Sequence, residues 1–427
     1  MRGISCLAIE TDENVLQVKK FGGAAVATTD QIHACAGIIA AAVEAGHQVI
    51  TVVSAMGAQT DQLVGLAREI HPDPPPREMD MLLTAGERVS MALMSMALQH
   101  RGIRALSLTG SQSGILTDGT HGNARIRNIL GDRIRRGLAE NMVVIVAGFQ
   151  GVDPETKEIT TLGRGGSDLT AIALAVRLGA GVCQLYKDVP GICSADPGQV
   201  ANARLLRHIP PGAMLEACWK GAGVIHARAV QVAALNRLPL EICSTADQGK
   251  PGTRIEEKEI SMESLHVYTL TEKKDLCRMH VSACGSRNPG GDALLWLWQR
   301  GETPVLIRQE KDGDQPGLSL IVPSALSVEF RSWAKDKAGL QAGQVSETDG
   351  LASLAIIGSG FWQHPEAVSR ILALAGNFVH TFDQTNTVLT LVGPAEDSGG
   401  MMDLLHDHLF GVGSEFKEQA GMDPGIV

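Results

Sequence analysis

The sequence predicts an open α/β fold, a mostly parallel sheet layered with helices, followed by smaller α+β modules. Three observations carry that expectation. First, four apolar stretches end in small or charged residues: Val18-Lys19-Lys20-Phe21 before Gly22-Gly23, Thr51-Val52-Val53 before Ser54-Ala55-Met56-Gly57, Val143-Val144-Ile145-Val146-Ala147 before Gly148, and Leu185-Tyr186-Lys187 before Asp188-Val189-Pro190-Gly191. Strand ends of this kind, gathered on one edge, make the cleft where open α/β sheets bind ligands. Second, helix and strand patterns alternate through the first half of the chain. Third, a strand–turn–helix–strand pattern occurs twice beyond residue 250, which points to two small modules.

Taken in order, residues 31–45 read as a helix and 48–53 as a strand. His71-Pro72-Asp73-Pro74-Pro75-Pro76 reads as a loop, since proline fixes φ and donates no hydrogen bond. Residues 80–100 form a long helix whose Met91, Met94, Met96 and Leu98 are expected in the core. Ile126, Leu130, Ile134 and Leu138 recur at helical spacing, which makes the nearby arginines the solvated face of an amphipathic helix. A buried strand at 141–148 and a polar turn at 153–158 lead to Thr161-Leu162-Gly163-Arg164-Gly165-Gly166-Ser167-Asp168. Those glycines permit a tight turn and close ligand approach, and Arg164 offers a planar fork for a carboxylate or phosphate. Ser167 is expected to cap the helix that follows. Residues 213–235 read as helical, 239–243 as a strand, and 248–253 as a boundary. Beyond it come a strand at 276–283, a turn at Arg287-Asn288-Pro289-Gly290, a helix at 291–300 and a strand at 305–308. The second copy has a strand at 351–358, a turn from Gly360 to Pro365, a helix at 366–374 and a strand at 388–392. The expected domains are 15–250, 263–345 and 346–420.

A chain of 427 residues exceeds one ordinary core. With 44% hydrophobic and 20% charged residues it has the composition of a globular protein. A net charge of −10 argues against a general nucleic-acid partner. The eight cysteines are scattered singly, without C-x-x-C pairs, which fits a reducing cytoplasm and neither a zinc site nor a disulfide framework. Cys183, Cys218 and Cys243 sit in apolar runs and read as buried. No segment is expected to span a membrane, and the start of the chain lacks a signal-peptide pattern.

In order and spacing, several motifs resemble those of the aspartokinases of the amino-acid kinase superfamily. They are Lys20-Phe21-Gly22-Gly23, Val53-Ser54-Ala55-Met56-Gly57, Thr84-Ala85-Gly86-Glu87, Gly114-Ile115-Leu116-Thr117-Asp118, Gly122-Asn123-Ala124-Arg125, Gly148-Phe149-Gln150-Gly151 and the Arg164 loop. The resemblance runs over residues 15–245 and continues more weakly to about 415, in a region similar to that family's paired ACT domains. It implies an amino-acid kinase fold and transfer of the γ-phosphoryl of Mg-ATP to the side-chain carboxylate of L-aspartate. Arg164 would clamp the substrate α-carboxylate and Glu87 would take its ammonium. Ser54, Thr60, Phe149 and Ser167 would complete that pocket. Lys20 and Asp168 would be catalytic, with Lys20, Gly22, Gly23, Lys187, Asp188 and Asp196 on the nucleotide side, and no resident metal. The resemblance also implies a homodimer or higher homo-oligomer, with an amino-acid effector at the ACT modules.

The nucleotide side departs from the family pattern. Ala24-Ala25 replaces a Thr-Ser pair, Lys187 a threonine, Cys193 an aromatic residue, and Gly198 and Gly223 two cations. A charged hydrogen bond contributes roughly 1.5–3 kcal/mol, so the two missing cations bear directly on ATP affinity. Lys220 could compensate if residues 220–223 share a helix face, and Lys187 could bring a charge of its own. Two other readings stay open here: a paralogue that binds amino acids as a regulatory partner, and a kinase for a related amino-acid carboxylate.

Overall fold

The computed structural model describes residues 15–246, 251–257, 264–282, 289–300, 302–312, 315–336 and 345–411. The expectations for 248–250, Ala283, Arg287 and Asn288 lie outside them. The chain divides into two compact units. The first holds the chain through Ile192 with Arg207–Leu215 and Gly223–Lys258; the second holds Cys193–Leu206, Glu216–Ala222 and the chain from Glu259 onward.

The first unit opens with β1 (Leu16–Phe21), α1 (Thr29–Glu44), β2 (Gln48–Val53), α2 (Gln59–Ile70), α3 (Pro76–His100) and β3 (Ala105–Leu108). There follow β4 (Ile115–Thr117), β5 (Ile126–Ile129), α4 (Asp132–Ala139), β6 (Val143–Ala147), β7 (Gln150–Val152), β8 (Ile159–Thr161), α5 (Gly166–Leu178) and β9 (Val182–Lys187). The chain continues through β10 (His208–Ile209), α6 (Pro211–Trp219), α7 (Ala227–Leu235), β11 (Leu240–Ser244) and β12 (Pro251–Ile255). The main sheet has the order β10-β12-β11-β9-β1-β2-β6-β3. From β11 to β3 every neighbouring pair is parallel, whereas β12 runs antiparallel to β11. The four expected strands are thus consecutive neighbours, β9, β1, β2 and β6, and their carboxyl ends share one edge. A second sheet, β5-β4-β7-β8, stands apart. On one face of the main sheet, Ile32, Cys35 and Ile39 of α1 and Met94 and Leu98 of α3 cluster with Phe21, Val49, Val53 and Ile145. Lys20 alternates with Phe21 and points the other way, toward α5.

Several expectations are corrected. Ile126 belongs to β5, which pairs antiparallel with β4. Gly131 then turns in the left-handed region at φ 74°, so the helix begins only at Asp132 and Leu130 is exposed. Pro76 ends no loop but opens α3, where a missing donor costs nothing. Met96 faces solvent, unlike Met94. Residues 213–235 break into α6 and α7, with Gly221 at φ 122° between them. A Cβ at Gly221 would lie 2.5 Å from the Glu272 carbonyl, so the close approach requires glycine. Pro251–Ile255 pairs with β11 and extends the main sheet. Cys183 and Cys243 are buried as expected, and Cys218 is half-buried. Finally, α3 is long enough to cross a membrane and contains an apolar stretch of the necessary length. It is a core helix here: besides Met94 and Leu98 it buries the polar Asp80, Thr84, Glu87 and Ser90.

The second unit contains β13 (His266–Ser282), α8 (Pro289–Gln299), β14 (Leu306–Asp312), β15 (Gln315–Pro323), α9 (Ser327–Asp336), β16 (Val345–Ser359), α10 (Pro365–Ala375), β17 (Thr381–Gln384), β18 (Val388–Pro394) and α11 (Ser398–Phe410). Its sheet, β14-β15-β13-β16-β18-β17, is antiparallel throughout. Among the described residues, two large cores pack on it beside a smaller cluster of Leu276, Leu306, Ile321, Leu351 and Val392. Cys277, Met279, Val281, Trp296, Leu320 and Phe330 build one. Leu265, Val267 and Leu270 join Leu354, Ile356, Phe361, Ile371, Leu405 and Phe410 in the other. The register of β13 against β16 slips between Lys273 and Leu276, and Asp275 sits there at φ 54°. The bulge lets one long strand serve both cores, so residues 265–270 pack with the later repeat and not with 276–345.

Candidate active site

At the carboxyl edge, Lys20 of β1 places Nζ 2.7 Å from Asp168 Oδ1, and Lys187 at the end of β9 places Nζ 2.8 Å from Oδ2. Asp168 enters from the first turn of α5. Burial opposes its charge, but Lys20 and Lys187 outweigh burial and hold the carboxyl below its ordinary range. Burial likewise pulls the Lys20 ammonium down, against the pull of Asp168. Two cations around one buried carboxylate leave an excess of one positive charge, a setting suited to an anion. The turn after β1 is pressed against the turn after β2. The Gly57 amide donates to the Gly23 carbonyl at 3.0 Å, and a Cβ on Gly23 would meet the Ala55 carbonyl at 2.9 Å. Of the two alanines that replace hydroxyl residues, Ala25 is buried in the core beside Cys35 and Ala24 is exposed.

Glu87 projects from α3 and is buried. Its Oε1 accepts the Ala55 amide at 3.1 Å, while Oε2 has no hydrogen-bond partner among the described residues. Burial pushes its carboxyl up to about 7, against the backbone amides and the charge of Lys20. That charge places Glu87 in the field of Lys20. Ser54, at the end of β2, has its carbonyl held by Ser90 Oγ at 2.6 Å. Thr60 is half-buried in the first turn of α2. Phe149 adopts φ 70°, which is strained for a residue with a Cβ, and its amide donates to Thr170 Oγ1 at 3.1 Å. Strain of this kind collects at ligand sites. Arg164 is exposed on its loop.

Ser167 does not cap α5. Gly165, left-handed at φ 71°, occupies the N-cap position without a side-chain bond, and Ser167 is buried in the first turn against Gly148. A Cβ at Gly165 would strike His226 Cβ at 2.3 Å, so the loop reaches its position only as glycine. Asp188 is exposed. Asp196 belongs to the second unit, where its Oδ1 accepts the Gly198 amide at 2.9 Å. Lys220 is not on a helix with Gly223; its Nζ donates to the Val305 carbonyl at 3.2 Å within the second unit. Two residues that sequence reasoning passed over stand next to the Arg164 loop. Asp80 is fully buried in the first half of α3, and Arg228 opens α7. For Arg228 the available signal was a lone charge inside an apolar helical run, Ala227-Arg228-Ala229; Asp80, preceded by Arg77 and Glu78, gave none.

The profile of the amino acid kinase family matches residues 16–244. Aspartokinase of Geobacillus stearothermophilus is 41% identical over 362 residues, 83% of this chain and 86% of that protein. Aspartokinase of Mycolicibacterium smegmatis is 37% identical over 414 residues, 94% of this chain and 97% of that protein. The chain belongs to the aspartokinases. Among solved structures, E. coli aspartokinase III in complex with aspartate and ADP superposes with a TM-score of 0.79, covering 92% of this chain and all of that one; at 22% identity it speaks to the fold. Lys187, where the family pattern read from the sequence calls for a threonine, brings a second ammonium to Asp168.

Proposed function

We propose that Lys20, Lys187 and Asp168 hold the phosphates of ATP while Glu87 and Arg164 hold L-aspartate for transfer of the γ-phosphoryl to its β-carboxylate. The observation that carries this reading is the two-lysine grip on Asp168, within the field of a buried glutamate that has one oxygen uncommitted. A carboxylate is already nucleophilic at neutral pH, so no general base is needed. Its oxygen attacks the γ-phosphorus, the bond to the bridging oxygen breaks, and ADP leaves with the electron pair. Such transfers depend on positioning and charge neutralisation. Lys20 and Lys187 would meet the charge that grows on the phosphoryl oxygens, and Gly22 and Gly23 would let the backbone come close. Mg²⁺ would arrive on the triphosphate and neutralise part of its charge, because Asp168 is engaged by two ammonium groups. Ser54, Thr60, Phe149 and Ser167 would line the amino-acid pocket, with Asp188 and Asp196 serving the nucleotide.

Incubation with aspartate, Mg-ATP and hydroxylamine is expected to yield the acyl hydroxamate; none, beside a working aspartokinase control, overturns the assignment. Lys187→Thr installs the residue that the family pattern calls for at this position. Loss of a charged hydrogen bond of roughly 1.5–3 kcal/mol predicts a rise of about tenfold or more in the KM for ATP. An unchanged ATP KM removes Lys187 from the phosphate site. Gly198 and Gly223, where the pattern calls for cations, favour one other reading, an amino-acid-binding paralogue. Calorimetry showing aspartate binding without ATP binding would select it.

We also assign two ACT-like modules, within 263–345 and 346–420, to the second unit. E. coli aspartokinase III has been solved with lysine and aspartate, which supports an amino-acid effector at this unit. A homodimer is the proposed assembly.

A further inference from the structure

Arg164 is exposed, and among the described residues none holds its guanidinium by a hydrogen bond or ion pair. A clamp for a carboxylate must nevertheless stand at a fixed place, because a small misplacement sharply weakens a bidentate contact. What fixes it lies one step back. Asp80 Oδ1 accepts from Thr161 Oγ1 at 2.5 Å and from the Gly122 amide at 3.1 Å, and Oδ2 meets His121 Nδ1 at 2.7 Å. Arg228 donates through Nη1 to the Leu162 carbonyl and to Asn123 Oδ1, both at 2.8 Å, and through Nη2 to the Ala124 carbonyl at 3.0 Å. The Ala124 amide closes the set by donating to the Thr161 carbonyl at 2.8 Å. Thr161 and Leu162 are the last residues before the turn that carries Arg164, and both are buried. The turn itself is too tight to adjust: Gly163 sits at φ 76°, and a Cβ there would be 3.0 Å from the Gly122 carbonyl.

We propose that Asp80 and Arg228 are positioning residues for the aspartate clamp, stitching the 121–124 loop to the end of β8 so that Arg164 projects at one fixed point. The inference rests on the reading of Arg164 as the carboxylate clamp. Arg228 is an arginine because three acceptors in different directions need a planar fork; a lysine offers one nitrogen, and an apolar residue would leave the part-buried Leu162 and Ala124 carbonyls unpaired and release the exposed Asn123 side chain. Asp80 gathers three partners from the 121–124 loop and the end of β8, which a neutral acceptor does less well.

The test uses the full chain with Arg228→Met, Arg228→Lys and Thr161→Val, the last removing one hydroxyl from Asp80 with little change of shape. Steady-state kinetics give the KM for aspartate, the KM for ATP and kcat, and calorimetry gives the aspartate Kd without turnover. Arg228→Met is expected to raise both aspartate constants at least tenfold with the ATP KM within twofold. Arg228→Lys should fall between it and wild type, and Thr161→Val should raise the aspartate constants about threefold to fivefold. Aspartate constants within twofold of wild type in the folded variants would overturn the proposal, as would an ATP KM that rises in step with them. If Arg228→Met fails to fold by circular dichroism, the other two variants decide. Wild-type protein that binds aspartate but forms no hydroxamate would overturn the kinase reading and leave the calorimetric comparison to judge this one.

Discussion

Glu87 is a carboxylate whose proton leaves near neutrality, since burial pushes its carboxyl up to about 7. Below that pH it is neutral in the unliganded protein and offers an ammonium no counter-charge. The KM for aspartate is therefore expected to climb as pH falls from 8 to 6, approaching tenfold per unit below 7. Glu87→Gln should give a high KM that no longer varies with pH; a wild-type profile as flat would remove Glu87 from the substrate site. The sign for stability follows from the same shift. Between 4.5 and about 7 the folded chain keeps a proton that the unfolded chain has lost, so the free protein becomes less stable as pH rises through that window. Aspartate, by supplying the missing partner, should offset that loss.

Thr28 and Gln31 form a complete capping box at the start of α1: the Gln31 amide donates to Thr28 Oγ1 at 3.2 Å, and the Thr28 amide to Gln31 Oε1 at 3.0 Å. Thr28→Ala should cost about 1 kcal/mol of stability, seen as a lower denaturation midpoint with unchanged KM for both substrates. A change in either KM would mean that α1 also shapes the site. Elements of this kind were legible where the local signal was strong. The apolar runs that became β1, β2, β6 and β9 needed only their period and their glycine ends, which put Lys20 and Lys187 on β1 and β9, whereas a place for them and Asp168 at one site came from the family resemblance. Legibility failed where a tertiary partner decided. Ile126 and Leu130 kept helical spacing, yet β4 was available to pair with Ile126, and the left-handed Gly131 ended the run. Ser167 looked like a cap because serine is a good one, but the close approach of His226 demanded glycine at 165. Asp80 and Arg228 had no motif to announce them, since their partners lie 41 to 105 residues away.

At the level of the whole chain, the two units carry separate cores, and the second holds segments 193–206 and 216–222 from the middle of the first. Ser194 Oγ meets His406 Nε2 of α11 at 2.9 Å, and Ala195 and Val200 pack into the core of the later repeat. The segment that bears Asp196 is thus built as part of the second unit. A panel of amino acids screened by thermal shift should include at least one, lysine or threonine by family likeness, that raises the melting temperature. No shift with any amino acid other than aspartate would reduce the second unit to an assembly role. Light scattering would then report whether that assembly is a dimer.

The length of α3 has one more implication. Asp80 and Glu87 lie seven residues apart on one buried stripe, two turns or roughly 10 Å along a single rod. On the proposed reading, the negative grip on the substrate and the anchor of its positive grip are marks on the same ruler, and breathing of the surrounding loops leaves their separation alone. Inserting one alanine between them would rotate Asp80 by about 100° relative to Glu87. Amino-acid recognition should then vanish while the phosphate lysines, held by β1 and β9, keep their register.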